Sequence, residues 1–248
     1  AERLPPAEQA AVLAEAFNAA RAIEDERRRA NALCAVAERL PPGEQAAVLA
    51  EALRAVRAVQ DEGTRVDSLL VVAEHLPRTE QAAVLVEALG AARAIQDERK
   101  RANALCAVAE RQPPAEQAAV LAEALRAARA IQAESARADA ILAVAERLPP
   151  DVHDLHYEVW QMACHMANGV NSSQFISLAA SGWLDLSRAA GKSETQMVSD
   201  TLNAFAPAGR PQLLRIIEAL LPVIHRLGGE RAVRETARAI IDTAKWWP

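Results

Sequence analysis

Aromatic side chains are nearly missing from this chain, which has three Phe, four Trp and one Tyr among 248 residues. Seven of the eight lie beyond Asp151, and Phe17 alone precedes it. A core in the first 150 residues must therefore be aliphatic. Basic charge is not in excess either: 28 Lys and Arg stand against 33 Asp and Glu, for a net charge of −5 and an isoelectric point near 5.7. That balance excludes a surface built to neutralise nucleic-acid phosphates. No stretch approaches the roughly 20 consecutive apolar residues that cross a bilayer, so no membrane partner is expected. The cysteines number three, with no Cys-x-x-Cys spacing, which rules out a disulfide framework and a paired-thiolate zinc site. Sustained apolar/polar alternation is absent and β-branched residues are sparse, leaving little with which to write a strand.

What is present is alanine, twelve in the first 36 residues, and repetition. AERLPP at Ala1–Pro6 returns at Ala37–Pro42 and Ala145–Pro150, with AEHLPR from Ala73 and AERQPP from Ala109 between them. The spacing is 36 residues each time, and EQAAVL keeps the same register at Glu8, Glu44, Glu80 and Glu116. The chain thus divides into four near-identical units over 1–150 and a divergent segment over 151–248. Because it opens at Ala1 inside a recurring motif, it reads as a fragment of a longer protein.

Each unit reads as two helices. Pro6 suits the first helical position and Glu8 complements the dipole of the first turn. Ala10, Leu13, Phe17 and Ala20 are spaced for one helical face. Asp25, Asp61 and Asp97 are expected N-caps of the second helix, a role Ala133 cannot fill. That helix carries Leu33, Val36, Ala37 and Leu40 on one face and is expected to stop at Pro41-Pro42. Neither helix of a unit can bury its apolar face alone, but stacked units can, with small alanines permitting close helix approach. The expected fold is all-α: a solenoid of 36-residue helix-turn-helix repeats with a divergent helical C-terminal cap. Its unit length is close to that of tetratricopeptide repeats, whose tryptophan and glycine-tyrosine positions it lacks.

Beyond Asp151 the pattern predicts helices over 152–167, 173–190, 194–205, 211–226 and 230–245, punctuated by Pro207, Pro211 and Gly228-Gly229. The aromatics there, Trp246 and Trp247 among them, suit a terminal cap. Those two tryptophans are read as packed under the final helix, with an exposed docking patch as the alternative. From Ala20 through Pro42 the chain follows ARAIxDExxRAxALxAVAExLPP. This pattern is similar to the C-terminal sensor repeats of bacterial STAND-type (NACHT-like) signalling NTPases. The ending, Leu220-Leu221-Pro222 through Gly228-Gly229 and then Thr243 to Pro248, resembles the last segment of such chains. The resemblance implies an NTPase and an effector domain upstream of Ala1, and carries no catalytic residue onto these positions.

Several hints of chemistry do not mature. Gly191-Lys192-Ser193 lacks the glycine five positions earlier that a phosphate-binding loop requires, since Leu186 stands there, and reads as a helix-joining loop. His153, His156, Cys164 and His165 with Asp151 and Asp154 cluster in sequence without a recognised ligand spacing, so no metal and no cofactor is expected. Asn171-Ser172-Ser173 matches a glycosylation acceptor by chance. Cys34 and Cys106 share a repeat position that Leu70 and Leu142 fill elsewhere, which marks a packed apolar site. Two repeat steps hold them roughly 20 Å apart, too far to bridge, and unpaired thiols point to a reducing cytoplasm.

The units differ in pairs. The first and third carry Arg27-Arg28-Arg29 and Arg99-Lys100-Arg101, with Asn31 and Asn103 one turn on. The second and fourth carry Gly63-Thr64-Arg65 and Ser135-Ala136-Arg137, with Asp67 and Asp139. The true period is therefore 72 residues. In one reading Arg27, Arg28, Arg99 and Lys100 belong to solvated helix starts, balanced in part by Glu26, Glu62 and Glu98. In the other they recur at roughly 20 Å as anion-recognising donors for an extended protein or peptide, with Asn31, Asp67, Asn103 and Asp139 beside them. The columns Arg29, Arg65, Arg101, Arg137 and Arg21, Arg57, Arg93, Arg129 are expected to be structural, bonding acids of the adjoining unit. The functional expectation is a non-enzymatic protein-recognition sensor, with a scaffold for self-association as the alternative.

Overall fold

The computed structural model describes residues 6–149, 151–165, 176, 187 and 190–243. It is all-α, with no strand among those residues. The chain divides into two compact units, Ala1–Val120 and Leu121–Pro248.

In the first unit the helices alternate as expected: α1 (Pro6–Arg21), α2 (Glu26–Ala37), α3 (Pro42–Ala58), α4 (Glu62–His75), α5 (Arg78–Ala94), α6 (Glu98–Ala109) and the start of α7 (Pro114–Ala130). Local chemistry sets the boundaries. Asp25, Asp61 and Asp97 sit in extended backbone and accept from the amides of Arg28, Thr64 and Lys100 at 2.7–2.8 Å. Each satisfies one of the amides a helix start leaves without a partner. Pro41 and Pro77 precede α3 and α5, where a missing N–H costs nothing. The second helices end sooner than the proline pairs suggested. α2 stops at Ala37 and Leu40 lies half-buried in the following turn.

Burial follows the repeat. Leu33, Leu69 and Leu105 are 0%, 0% and 2% exposed, and each fully buried leucine contributes about 1.5–3 kcal/mol. Ala52 and Ala88 are wholly buried, so the small residues lie where helices approach most closely. The expected face of the first helix holds at Ala20, and at the Leu13 and Ala20 equivalents Leu49 and Val56, but not at the Ala10 position. Ala10 and Ala46 are exposed, while Val48, Leu49, Ala52, Ala55 and Val56 form the buried stripe of α3. Val12 is 42% exposed where its equivalents Val48 and Val84 are buried, because α1 has a described helix against only one side.

The contacts define two layers. The second helices α2, α4 and α6 touch one another in succession, whereas the recurring contacts of α3 and α5 are with the second helices on either side. The second helices α2, α4 and α6 thus form a continuous layer.

In the second unit, α8 (Glu134–Ala145) has no side-chain cap at Ala133 and packs on α9 (His153–His165). α10 (Glu194–Phe205) follows, then a short 3₁₀ turn over Ala206–Ala208 and α11 (Arg210–Thr243). α11 is two helices meeting at Gly229, whose φ of 60° and ψ of −159° suit glycine alone. The break stands where Gly228-Gly229 predicted it. Trp160, Ile176, Met197, Phe205, Ile216, Leu220, Val223 and Ile224 form the core here, so bulky residues do fill this unit. Tyr157 stacks on Trp160 at 5.3 Å, and Trp160 Nε1 donates to Thr201 Oγ1, which donates to the Met197 carbonyl.

Trp246, Trp247, Asn171-Ser172-Ser173 and most of the helix expected over 173–190 lie outside the described residues.

Candidate functional site

The starts of α2 and α6, capped by Asp25 and Asp97, carry two kinds of basic residue, and the structure separates them by what they touch. One kind is fully employed. Nη1 of Arg29, Arg65 and Arg101 donates to the carbonyl of Ile23, Val59 and Ile95, six residues back, at 2.8, 3.0 and 2.7 Å. In the second unit Arg137 does the same to Ile131 at 3.0 Å. These carbonyls close the preceding helix and have no partner within it, so a cation there satisfies an acceptor and complements the negative dipole end. This corrects the expectation for the column: its acceptors are main-chain groups of the same repeat, because the short connection folds the second helix back over the end of the first.

The companion column behaves as expected where its partners are described. Arg21 pairs with Glu51 at 2.7 Å, Arg57 with Glu87 at 2.9 Å and, in the second unit, Arg129 with Glu158 at 2.8 Å. Hydrogen bonding to Glu87 raises the Arg57 pKa further. A third ladder escaped the sequence reading. Arg111 bonds Glu74 of the preceding repeat at 2.6 Å, and His75 lies 3.4 Å from Glu38 in the same relation. Its signal was the invariant Ala-Glu-Arg/His at each repeat boundary.

The other kind is idle. Arg27, Arg28 and Arg99 are exposed and make no side-chain hydrogen bond or ion pair among the described residues. Lys100 is exposed and close enough to Asp61 to help hold that carboxyl below its usual range, behind the larger effect of the Thr64 hydrogen bonds. This agrees with the contact between α4 and α6, and places Lys100 within electrostatic reach of the α4 cap. Asn31, Asp67 and Asn103 are exposed on the same helical faces, one turn further on. One turn beyond them come Ala35, Val71 and Ala107, short side chains that the sequence reading did not single out. Unit one thus brings Arg27, Arg28, Asn31, Asp67, Arg99, Lys100 and Asn103 onto a single layer. Asp139 is exposed on α8 of the second unit.

Among the described residues nothing comparable gathers around nucleophiles or metal ligands. Cys34 and Cys106 are buried and form no disulfide, Leu70 fills the same position at 3% exposure, and Leu142 is half-buried. Burial, aided by Glu38, pushes the Cys34 thiol up to about 11, and burial pushes Cys164 up to about 12. A thiol so placed stays protonated and is a poor nucleophile. His156 Nδ1 lies 2.8 Å from the Val152 carbonyl, and among the described residues no group of three His, Cys, Asp or Glu could hold a metal. Gly191-Lys192-Ser193 is a helix-joining loop. Gly191 has φ +62°, Ser193 caps α10 through the Gln196 amide, and Lys192 pairs with Asp200 at 2.7 Å. Among the described residues no helix is long and apolar enough to cross a membrane. No protein-family profile, curated protein or solved structure matches the chain.

Proposed function

We propose that this chain is a non-enzymatic protein-recognition solenoid whose second-helix layer receives an extended polypeptide. The observation that carries the reading is the division of labour among the basic residues. The arginines that close helices or tie repeats together are bonded to a carbonyl or an acid, while Arg27, Arg28 and Arg99 gather, exposed and without such a bond among the described residues, on the second-helix layer. Arg54 and Arg78 are similarly unpartnered among the described residues but stand singly on the first helices α3 and α5. Desolvating or fixing a long cationic side chain has an entropic cost that folding does not offset here, so these residues contribute only when a partner arrives. We further propose, from the resemblance of its repeats, that it serves in the cytoplasm as the sensor end of a STAND-type signalling NTPase. There a trigger would act by favouring one arrangement of the upstream domains over another.

The test is binding of labelled acidic peptides to the full chain, followed by fluorescence anisotropy at low salt. The double variant Arg28→Glu/Lys100→Glu should lose at least tenfold in affinity while its melting curve stays in place. Retained affinity in that variant would refute the reading. Light scattering across concentration separates it from self-association, for which mass should rise with concentration and fall in the same variant.

A further inference from the structure

The idle charges are not a uniform basic strip. Along the layer the exposed charges of successive helices read basic, acidic, basic: Arg27 and Arg28 at the start of α2; Asp67 one turn into α4, whose start has Gly63 and Thr64 in place of the bases; Arg99 and Lys100 at the start of α6, with Asn31 and Asn103 level with Asp67. Since α2 touches α4 and α4 touches α6, successive rungs are one helix diameter apart, about 8–10 Å.

That step selects a backbone conformation in the partner. A β-strand rises about 3.3 Å per residue and sends alternate side chains to opposite faces, so residues three apart point away from each other. Polyproline II rises about 3.1 Å per residue with three residues per turn, so residues i, i+3 and i+6 share one face at a repeat of about 9.3 Å. The second matches the ladder of rungs. Its backbone makes no internal hydrogen bonds, which leaves amides and carbonyls for the Asn31 and Asn103 carboxamides, each both donor and acceptor. Beyond them the layer is bounded by guanidinium groups, since Arg39 and Arg111 fold back to donate to the Ala35 and Ala107 carbonyls at 2.9 and 3.2 Å, so the partner's path runs over the first two turns of the helices.

We infer that the first unit selects extended polyproline II segments of the form acid-x-x-base-x-x-acid, the acids facing Arg27/Arg28 and Arg99/Lys100 and the base facing Asp67. The inference rests on the recognition reading above and adds to it the order of charges. Asp67 is the discriminating element: it repels the middle of a continuous polyanion and so works against nucleic acid or a polyglutamate run. The pattern reads the same from either end, so charge alone does not fix chain direction.

The experiment uses the full chain and three fluorescein-labelled peptides in a proline-rich background: Glu-Pro-Pro-Lys-Pro-Pro-Glu, an isomer with its three charges adjacent, and Glu-Pro-Pro-Glu-Pro-Pro-Glu. The first should bind at least tenfold more tightly than the second and third in 50 mM salt, with the advantage shrinking at high salt. Asp67→Lys should reverse the order of the first and third peptides, which a merely structural role for Asp67 would not do. Equal affinity for the first two peptides, or an unchanged order in Asp67→Lys, overturns the charge pattern. If that equal binding still disappears in Arg28→Glu/Lys100→Glu, only the pattern fails and recognition stands. If none of the three binds, both fail together.

Discussion

Arginine does three separable jobs within a few residues of each other. Arg101 closes a helix through the Ile95 carbonyl, Arg111 ties one repeat to the last through Glu74, and Arg99 is exposed with no partner among the described residues. Removing the first leaves a part-buried carbonyl without a partner, at a cost of about 1–2 kcal/mol; removing the last should stay within about 0.5 kcal/mol. Urea unfolding of Arg101→Ala and Arg99→Ala should show that contrast, and equal losses would erase the distinction on which the candidate site depends. The sequence announced that the Arg29 column was structural but not its acceptor. The bond runs six residues back across a turn, and no helical or strand spacing contains that relation. The cysteines were more legible, since leucine at the equivalent positions already marked an apolar setting. The sign of their pH effect follows from burial. The Cys34 pKa rises from an ordinary 9.0 to about 11, so the folded state holds the proton more tightly than the unfolded chain. The stabilisation is therefore complete below about pH 8.5 and is lost as pH climbs toward 11. Melting temperature should fall over that alkaline window, less so in Cys34→Leu, and Ellman's reagent at pH 8 should leave the Cys34 thiol untouched until the chain unfolds.

Elements were legible wherever capping chemistry or proline fixed them. Three Asp caps stand where the spacing put them, and the fourth helix of the kind begins at Ala133 with nearly the same backbone, φ −69° and ψ 118° against −69° and 119° at Asp97. The geometry for a cap is present and the oxygen is missing. Ala133→Asp should stabilise α8 by about 1 kcal/mol, and Asp97→Ala should destabilise α6 by a similar amount, both readable as shifts in the urea midpoint. No gain from Ala133→Asp would mean that the α8 amides already have another acceptor. The ends of the second helices were less legible. Pro41-Pro42 forbids helix beyond it without stating how many residues the preceding turn consumes, and α2 gives up three of them to a bonded turn through Leu40. The exposed face of those helices was visible in pairs of unlike repeats, but its continuation through Ala35, Val71 and Ala107 was not, because alanine is everywhere in this chain and signals nothing by itself.

At the scale of the array, stability is a sum of units and the interfaces between neighbours, so the chain should tolerate loss of a whole unit and not of part of one. Excising residues 37–72 joins Val36 to Ala73, the same Val-Ala junction as Val36–Ala37 and Val72–Ala73, so every helix retains a correctly facing neighbour. The shortened chain should keep its helicity per residue and melt cooperatively at a lower temperature. Its urea m-value should be smaller in proportion to the surface no longer buried. Excising 55–72 instead deletes the end of α3 and all of α4 but its last three residues, leaving a buried stripe against nothing, and should yield a chain with no cooperative transition. The 36-residue excision also removes Asp67 and brings the Arg27/Arg28 start one helix step from Arg99/Lys100. A layer that reads basic, acidic, basic becomes basic, basic, and the preferred partner should change from acids six residues apart to acids three apart. Anisotropy with peptides of the two spacings measures that change directly. A preference that does not move when the rungs do would mean that something other than the spacing of helix starts selects the partner.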